Sequence, residues 1–305
     1  LRMTADYYRK KTTDLLNNVE MPRSSGYTTA LRNIGSIRNS GFELQLDGRI
    51  IDRAVKWDLG VNFSLNRSKV LVLSEDKDIF GGELDNTILK DQLNLMRVGE
   101  PMYVFYGYVE DGYDENGHIV YKNMDDDPAI TAADKTIIGD PNPDFLVNLT
   151  TAVSYKGFTL SAFFQSSIGN DIYSLSMAAQ AYDYGYNGNT LREVYYNHWT
   201  PENPTAKYPN LDQTSYKMSD RFVYDGSFVR LKNLELAYDV PCARNKFIKR
   251  ARVYVSAQNL FTITSYPFWD PDINANGGGS SMIQGVDSYC YPSARTYTIG
   301  CRLTF

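Results

Sequence analysis

The sequence predicts an all-β fold: a segment of an antiparallel transmembrane β-barrel with long loops gathered at one end. Three observations predict it. Many stretches are apolar at every second residue, the connections between them alternate between short and long, and aromatic residues concentrate near strand ends.

The alternation defines the strands, because a period of two puts one face in an apolar medium and the other in a polar one. Strands are expected over 1–9 and 33–47. In the second, Phe42, Leu44 and Leu46 oppose Glu43, Gln45 and Asp47. In KWDLGVNFSLN, Trp57, Leu59, Val61, Phe63 and Leu65 share a face, with Lys56, Asp58, Gly60, Asn62, Ser64 and Asn66 on the other. FLVNLTTAVSY and FTLSAFF follow, separated only by Lys156-Gly157, which suits a tight hairpin. The register then sets Tyr155 opposite Phe158, Val153 opposite Leu160 and Leu149 opposite Phe164, with both apolar sets on one face. Further strands are expected over 228–238 and 252–262. In the first of these the phase slips between Leu231 and Leu234, which predicts a bulge. The final strand carries Tyr297, Ile299, Cys301, Leu303 and Phe305 against Thr298, Gly300, Arg302 and Thr304.

Long connections are expected over 10–32, 67–142, 166–221 and 265–293, and short ones over 48–54, at Lys156-Gly157 and over 239–251. Strict alternation sends all the long ones to one end of the sheet. Outer-membrane barrels have this asymmetry, with short periplasmic turns, long external loops and strands of about 10 residues. Loops above about 12–15 residues are uncommon in compact soluble domains. Trp57, Tyr155, Phe158, Tyr238 and Phe305 fall near the short-turn end, and Phe63, Phe145, Phe164 and Tyr297 toward the long-loop end. Two aromatic levels match the girdles at the two membrane interfaces. The rival fold is a soluble β-rich module, such as a carbohydrate-binding one.

The chain of 305 residues has 31 Lys and Arg against 36 Asp and Glu, a net charge of −5 with no basic footprint for nucleic acid. Its longest apolar run, around MYVFYGYV, is far short of the roughly 20 residues of a spanning helix. The opening LRMTADYYRK already alternates, so the sequence is expected to continue a strand pattern from its first residues. Cys242, Cys290 and Cys301 show no CxxC spacing and are expected to be free thiols. The only histidines are His118 and His198, and no nucleophile elbow, HExxH or phosphate-binding loop is present, so no enzyme activity is expected.

Eight stretches carry a family resemblance in order along the chain: NIGSIRNSGFELQL, WDLGVNFSLNRSKV, IIGDPNPDFLVNL, YKGFTLSAFFQSSIGNDIY, HWTPENPTAKYP, GSFVRLKNLELAYDVP, RVYVSAQNLFT and YPSARTYTIGCRLTF. Together they resemble the C-terminal part of the SusC/RagA family of TonB-linked outer-membrane transporters. The resemblance implies a 22-stranded plugged barrel, with residues 1–305 as its C-terminal part and the N-terminal plug outside this sequence. It implies TonB-dependent import of glycans or peptides, a SusD-like surface lipoprotein as partner, and the TonB-ExbB-ExbD complex as energy source. The rival within membrane proteins is a passive pore or an adhesin barrel.

Three groups of residues are candidate sites. In NMDDDPAITAAD, Asn123, Asp125, Asp127, Thr131 and Asp134, with the carbonyl of Ala129, match the spacing of a calcium loop, which makes Ca2+ the one candidate cofactor. Pro128 stands where that loop wants glycine, and Asp134 replaces the usual glutamate. Tyr182, Tyr184, Tyr186, Tyr195, Tyr196 and Trp199 are candidate cargo- or partner-facing loop aromatics, together with Tyr208 and Tyr216, since flat rings offer contact area at low entropy cost. The alternative for these rings is loop packing. Tyr297, Ile299, Leu303 and Phe305 form an alternating final strand ending in an aromatic residue, and the resemblance implies an outer-membrane assembly signal there.

Overall fold

A computed structural model describes residues 1–20, 29–73, 77–85, 89–182, 189–242, 247–273 and 283–305. Eight strands form one sheet: β1 (Arg2–Glu20), β2 (Thr29–Asp52), β3 (Val55–Leu73), β4 (Phe145–Tyr155), β5 (Phe158–Ile168), β6 (Phe228–Val240), β7 (Arg250–Thr264) and β8 (Thr296–Thr304). Each pairs antiparallel with the next, in strict sequence order, and β1 and β8 are the edges of an unclosed wall.

Lateral rows across this wall alternate in chemistry. Ile51, Trp57, Val153, Leu160, Leu236, Val255 and Ile299 are successive cross-strand partners, and every one is apolar. Met3, Leu46, Val61, Leu149, Phe164, Leu231 and Phe261 form a second such row on the same face. On the opposite face Thr4, Gln45, Asn62, Asn148, Gln165, Arg230 and Thr262 form a row that is polar throughout. Val153, Leu160, Leu236, Val255 and Ile299 are all exposed. So broad an apolar face is not tolerated in water; facing lipid, it needs no cover. The 11 residues of β4 span ~33 Å at about 3.3 Å per residue, which a tilt of about 40° reduces to ~25 Å, the height of a barrel's apolar band. A soluble module is therefore ruled out.

The expected hairpin is present with the expected register, Tyr155 against Phe158 and Val153 against Leu160. Lys156 and Gly157 both have positive φ, 48° and 86°, the combination a two-residue primed turn requires. The bulge in β6 falls between Leu231 and Asn233. The aromatic levels are real: Phe158 packs on Tyr238 at 4.5 Å near the short turns, and Phe63 on Phe145 at 5.8 Å near the long loops. None of the three cysteines is in a disulfide with another described residue.

One expected loop is not a loop. Residues 10–32 were expected to connect two short strands, but β1 runs on to Glu20 and β2 begins at Thr29, with pairing continued out to Glu20 and Thr29. Apolar alternation ends where lipid ends, yet backbone groups still need partners, so the ribbon continues without the pattern. Register shifts between Thr12 and Leu15, with Asp14 at φ 58°, mark the change.

The larger hydrophobic core lies in the long connections, and a smaller cluster of Ile37, Val70, Leu73 and Met96 joins them to β2 and β3. Between β3 and β4, the segments Ile79–Phe80, Asn94–Met96, Val104–Gly107 and Thr136–Gly139 form a four-stranded sheet. Asp171–Ser174 is the centre of a three-stranded sheet, pairing with Val223–Asp225, also between β5 and β6, and with Val286–Asp287, between β7 and β8. Helix α1 (Leu175–Tyr182) packs among them and α2 (Arg192–Tyr196) follows. A single cluster including Leu93, Phe105, Tyr108, Tyr173, Met218 and Val286 unites all three connections.

Candidate functional site

The polar face of the wall and the loop body above it together form the candidate site. One buried ion pair ties the two together, and a second, partly buried, braces the loop body. Arg230, on the polar row of β6, is almost fully buried. Its Nε donates to Thr262 Oγ1 at 2.9 Å, and its guanidinium pairs with Asp270 and with Asp272 at 3.2 Å. Asp270 also accepts from the backbone N–H groups of Ser293 and Asp272, both at 2.9 Å. Burial pushes the Asp270 carboxyl up, but those two N–H donors and the Arg230 guanidinium outweigh it and hold it below its ordinary value. This cluster ties the connection between β7 and β8 down to the wall. Within the loop body, Arg221 pairs with Glu110, whose other oxygen accepts from Ser219 at 2.6 Å. A buried hydroxyl cluster completes the frame: Tyr266 donates to Asp287 at 2.6 Å, and Ser176 donates to the same carboxylate at 3.1 Å. Burial, and the hydrogen bond to Asp287, raise the Tyr266 phenol well above its ordinary value.

The loop aromatics expected to face cargo or a partner divide. Tyr182 is a core residue: it is 3% exposed, stacks on Tyr216 at 3.7 Å and meets Phe222 edge-on at 5.1 Å. Burial pushes its phenol far up. That reading is corrected: the ring belongs to α1, whose small residues Ala178 and Ala181 let it pack close, and it is unavailable to a ligand. Tyr208 and Tyr216 are likewise buried. Trp199 lies against Gly117, whose positive φ and absent side chain make room for the indole. Tyr195 and Tyr196 are well exposed on α2, edge-to-face at 5.2 Å, with the Arg192 guanidinium over Tyr196. Tyr184 and Tyr186 lie outside the described residues.

The acidic loop closes on itself. Asn123, Asp125 and Asp127 each accept, through a side-chain oxygen, the backbone N–H two residues on, at 3.1, 2.9 and 3.0 Å. Both oxygens of Asp134 are taken by the N–H groups of Met124 and Thr131 at 2.7 Å, and Thr131 Oγ1 caps the short helical turn through Ala133. These backbone donors hold the Asp134 carboxyl below its ordinary value. Among the described residues no three acidic, histidine or cysteine groups converge on one point. In this conformation the residues do not fit a calcium cage: the carboxylate that would close one is turned to the backbone.

On the last strand, Tyr297, Ile299, Leu303 and Phe305 are all exposed at the wall's edge. Arg230 and its partners escaped the sequence reading. Their sequence signal was faint: an arginine beside the phase slip of a strand that also carries Lys232 and Glu235, and a distant Asp270-Pro271-Asp272.

A wall that is apolar outside and polar inside, with the larger core of the described residues in one-sided loops, defines a membrane β-barrel with built-up external loops. The chain belongs to the TonB-dependent receptor-like β-barrel family: the family described as "TonB dependent receptor-like, beta-barrel" matches residues 1–260. Similar proteins include TonB-dependent receptor P3 of Formosa agariphila, 32% identical over all of this chain and 32% of its own length. TonB-dependent receptor SusC of Bacteroides thetaiotaomicron is 29% identical over 98% of this chain and 30% of its own. The structure of the RagAB peptide transporter is similar over 99% of this chain, with 27% identity and a TM-score of 0.81, and 33% of that chain is covered. The chain thus spans about a third of the length of these relatives. It is SusC/RagA-type outer-membrane barrel wall.

Proposed function

We propose that this chain forms the C-terminal part of the barrel of an active nutrient importer. Such an importer carries glycans or peptides through a plugged lumen, draws energy through TonB-ExbB-ExbD and works with a SusD-like surface lipoprotein. The observation that carries this reading is the wall itself, with the loop body anchored to its polar face by Arg230 and its overall likeness to the RagAB peptide transporter. Peptide transport is named for that relative; the polar inner row suits any hydrophilic cargo.

The test uses the complete transporter in cells. Uptake of labelled oligosaccharides and peptides should stop on loss of TonB or on addition of a protonophore, while the barrel stays in the outer membrane. Uptake that continues without TonB would make the barrel a passive pore. Detergent extraction should bring down a surface lipoprotein with the barrel; extraction of the barrel alone would remove the partner from this reading.

A further inference from the structure

Cations gather on the lipid-facing side of β1–β3, just above the apolar band. The last apolar row there is Tyr7, Phe42 and Leu65. One step toward the long loops the row is Arg9, Ser40 and Arg67, and the next is Lys11, Arg38 and Lys69. Pairing is unbroken from Met3 to Lys11, from Arg38 to Leu46 and from Val61 to Lys69, so these cations share the face of the apolar row through Met3, Leu46 and Val61. The intervening Ile37 and Val70 turn inward, where they are buried with Leu73 and Met96. Lys11, Arg38 and Lys69 lie directly opposite one another over two strand spacings, about 10 Å. Like charges in register destabilise a sheet, and no acidic residue stands in either row. Asp144 pairs with Arg67 at 2.7 Å, and Asp14, in the β1 bulge, accepts from Asn33. The side chains of Arg9, Lys11, Arg38 and Lys69 make no ion pair or hydrogen bond among the described residues.

We infer that this patch binds a phosphorylated lipid of the external leaflet, with headgroup phosphates among Lys11, Arg38 and Lys69 and acyl chains along the Tyr7–Phe42–Leu65 row. A phosphate between three cations in register removes their repulsion and accepts charge-assisted hydrogen bonds from each. The depth fits. A step of two residues rises ~7 Å along a strand, and ~5 Å along the membrane normal at a tilt of about 40°. The headgroup layer is about 5–8 Å deep, within reach of the long side chains of both rows. A free anion gains nothing from the apolar row below, whereas a lipid gains from both. Cations that only snorkel to water would stand at either interface. At the short-turn end the row of Val55, Tyr155, Phe158, Tyr238, Val253 and Cys301 on the same face carries none. Beyond β3 the external end of that face is uncharged too, with Phe145 against Ile168. The charge is therefore local to three strands at one interface.

The experiment is native mass spectrometry of the complete transporter in detergent, titrated with phosphorylated lipid A, with the same lipid after phosphatase treatment, and with inorganic phosphate as competitor. The phosphorylated lipid should bind at least tenfold more tightly than the dephosphorylated one, and equimolar inorganic phosphate should not displace it. The triple variant Lys11→Gln, Arg38→Gln, Lys69→Gln should lose at least tenfold in affinity for the phosphorylated lipid. The charge-keeping triple variant Lys11→Arg, Arg38→Lys, Lys69→Arg should retain it, and unchanged heat-modifiable gel mobility of both keeps folding out of the answer. Equal affinity for the two lipids, displacement by inorganic phosphate, or unchanged affinity in the glutamine variant overturns the inference. An altered oligomeric state in that variant with lipid binding unchanged would give the patch to a second copy of the chain, and overturns it as well. None of these outcomes touches the importer reading, which rests on the lumen side of the wall.

Discussion

Replacing Arg230 by methionine in the complete transporter should release the connection between β7 and β8 from the wall. The side-chain volume is roughly kept and the charge removed. Asp270, 5% exposed, would then lose its cation and keep only the N–H donors of Ser293 and Asp272. Removing one partner of a buried ion pair costs about 3–5 kcal/mol. The two retained donors favour the lower end, ~3 kcal/mol, which at 1.36 kcal/mol per decade is on the order of a hundredfold in the open population. Cys290, half-buried within this connection, reports opening by its rate of maleimide labelling once Cys242, Cys301 and every other cysteine of the complete transporter are changed to serine. Labelling should quicken by on the order of a hundredfold in Arg230→Met. The double variant Arg230→Met with Asp270→Leu should recover a large part of the loss, because no buried charge is stranded. Acid should act on the same bond. The folded Asp270 carboxyl lies below its unfolded value of about 3.9, so its stabilisation is complete above that pH and fades as pH falls through the folded value. Labelling of the wild type relative to an unfolded control at the same pH should therefore rise only below about pH 4, since the thiolate that reacts grows scarcer in both as pH falls. Arg230→Met labelling within threefold of wild type at neutral pH would refute the anchor.

Tyr182→Ala should cost about 3–5 kcal/mol of loop-body stability through its lost core ring, while Tyr195→Ala costs nothing measurable; protease sensitivity of the loops compares the two. Val153→Arg, on the lipid-facing row, should cost about 2–4 kcal/mol and lower the folded fraction in lipid vesicles, whereas the same change at its inward neighbour Ala152 should be tolerated. Calcium should leave the acidic loop's protease sensitivity unchanged, because Asp134 is already satisfied by backbone donors; protection on adding calcium would restore a metal site there. We infer that the last strand doubles as an assembly signal, so Phe305→Ala should remove only about 2–3 kcal/mol of burial yet sharply reduce surface-exposed transporter; equal surface levels would leave Phe305 as girdle packing.

The sequence by itself determined the wall. Alternation at Trp57–Leu65, the register of Tyr155 with Phe158 and the bulge after Leu231 are local facts, set by a period of two and by turn chemistry. It also determined which end carries the long loops, since antiparallel strands in sequence order leave no other choice. Only the tertiary structure decided what those loops are. Tyr182 and Tyr195 are both loop tyrosines in tyrosine-rich sequence, yet one is core and the other exposed, because burial depends on partners tens of residues away such as Tyr216 and Phe222. The 10–32 stretch shows the same limit: its apolar pattern ends, but β1 and β2 stay paired, since hydrogen bonding between strands leaves no mark in side-chain periodicity. Arg230 meets Asp270 across 40 residues and Asp287 meets Ser176 across 111. No local pattern encodes such pairs; they exist because the chain returns to one place and must satisfy every charge it buries there.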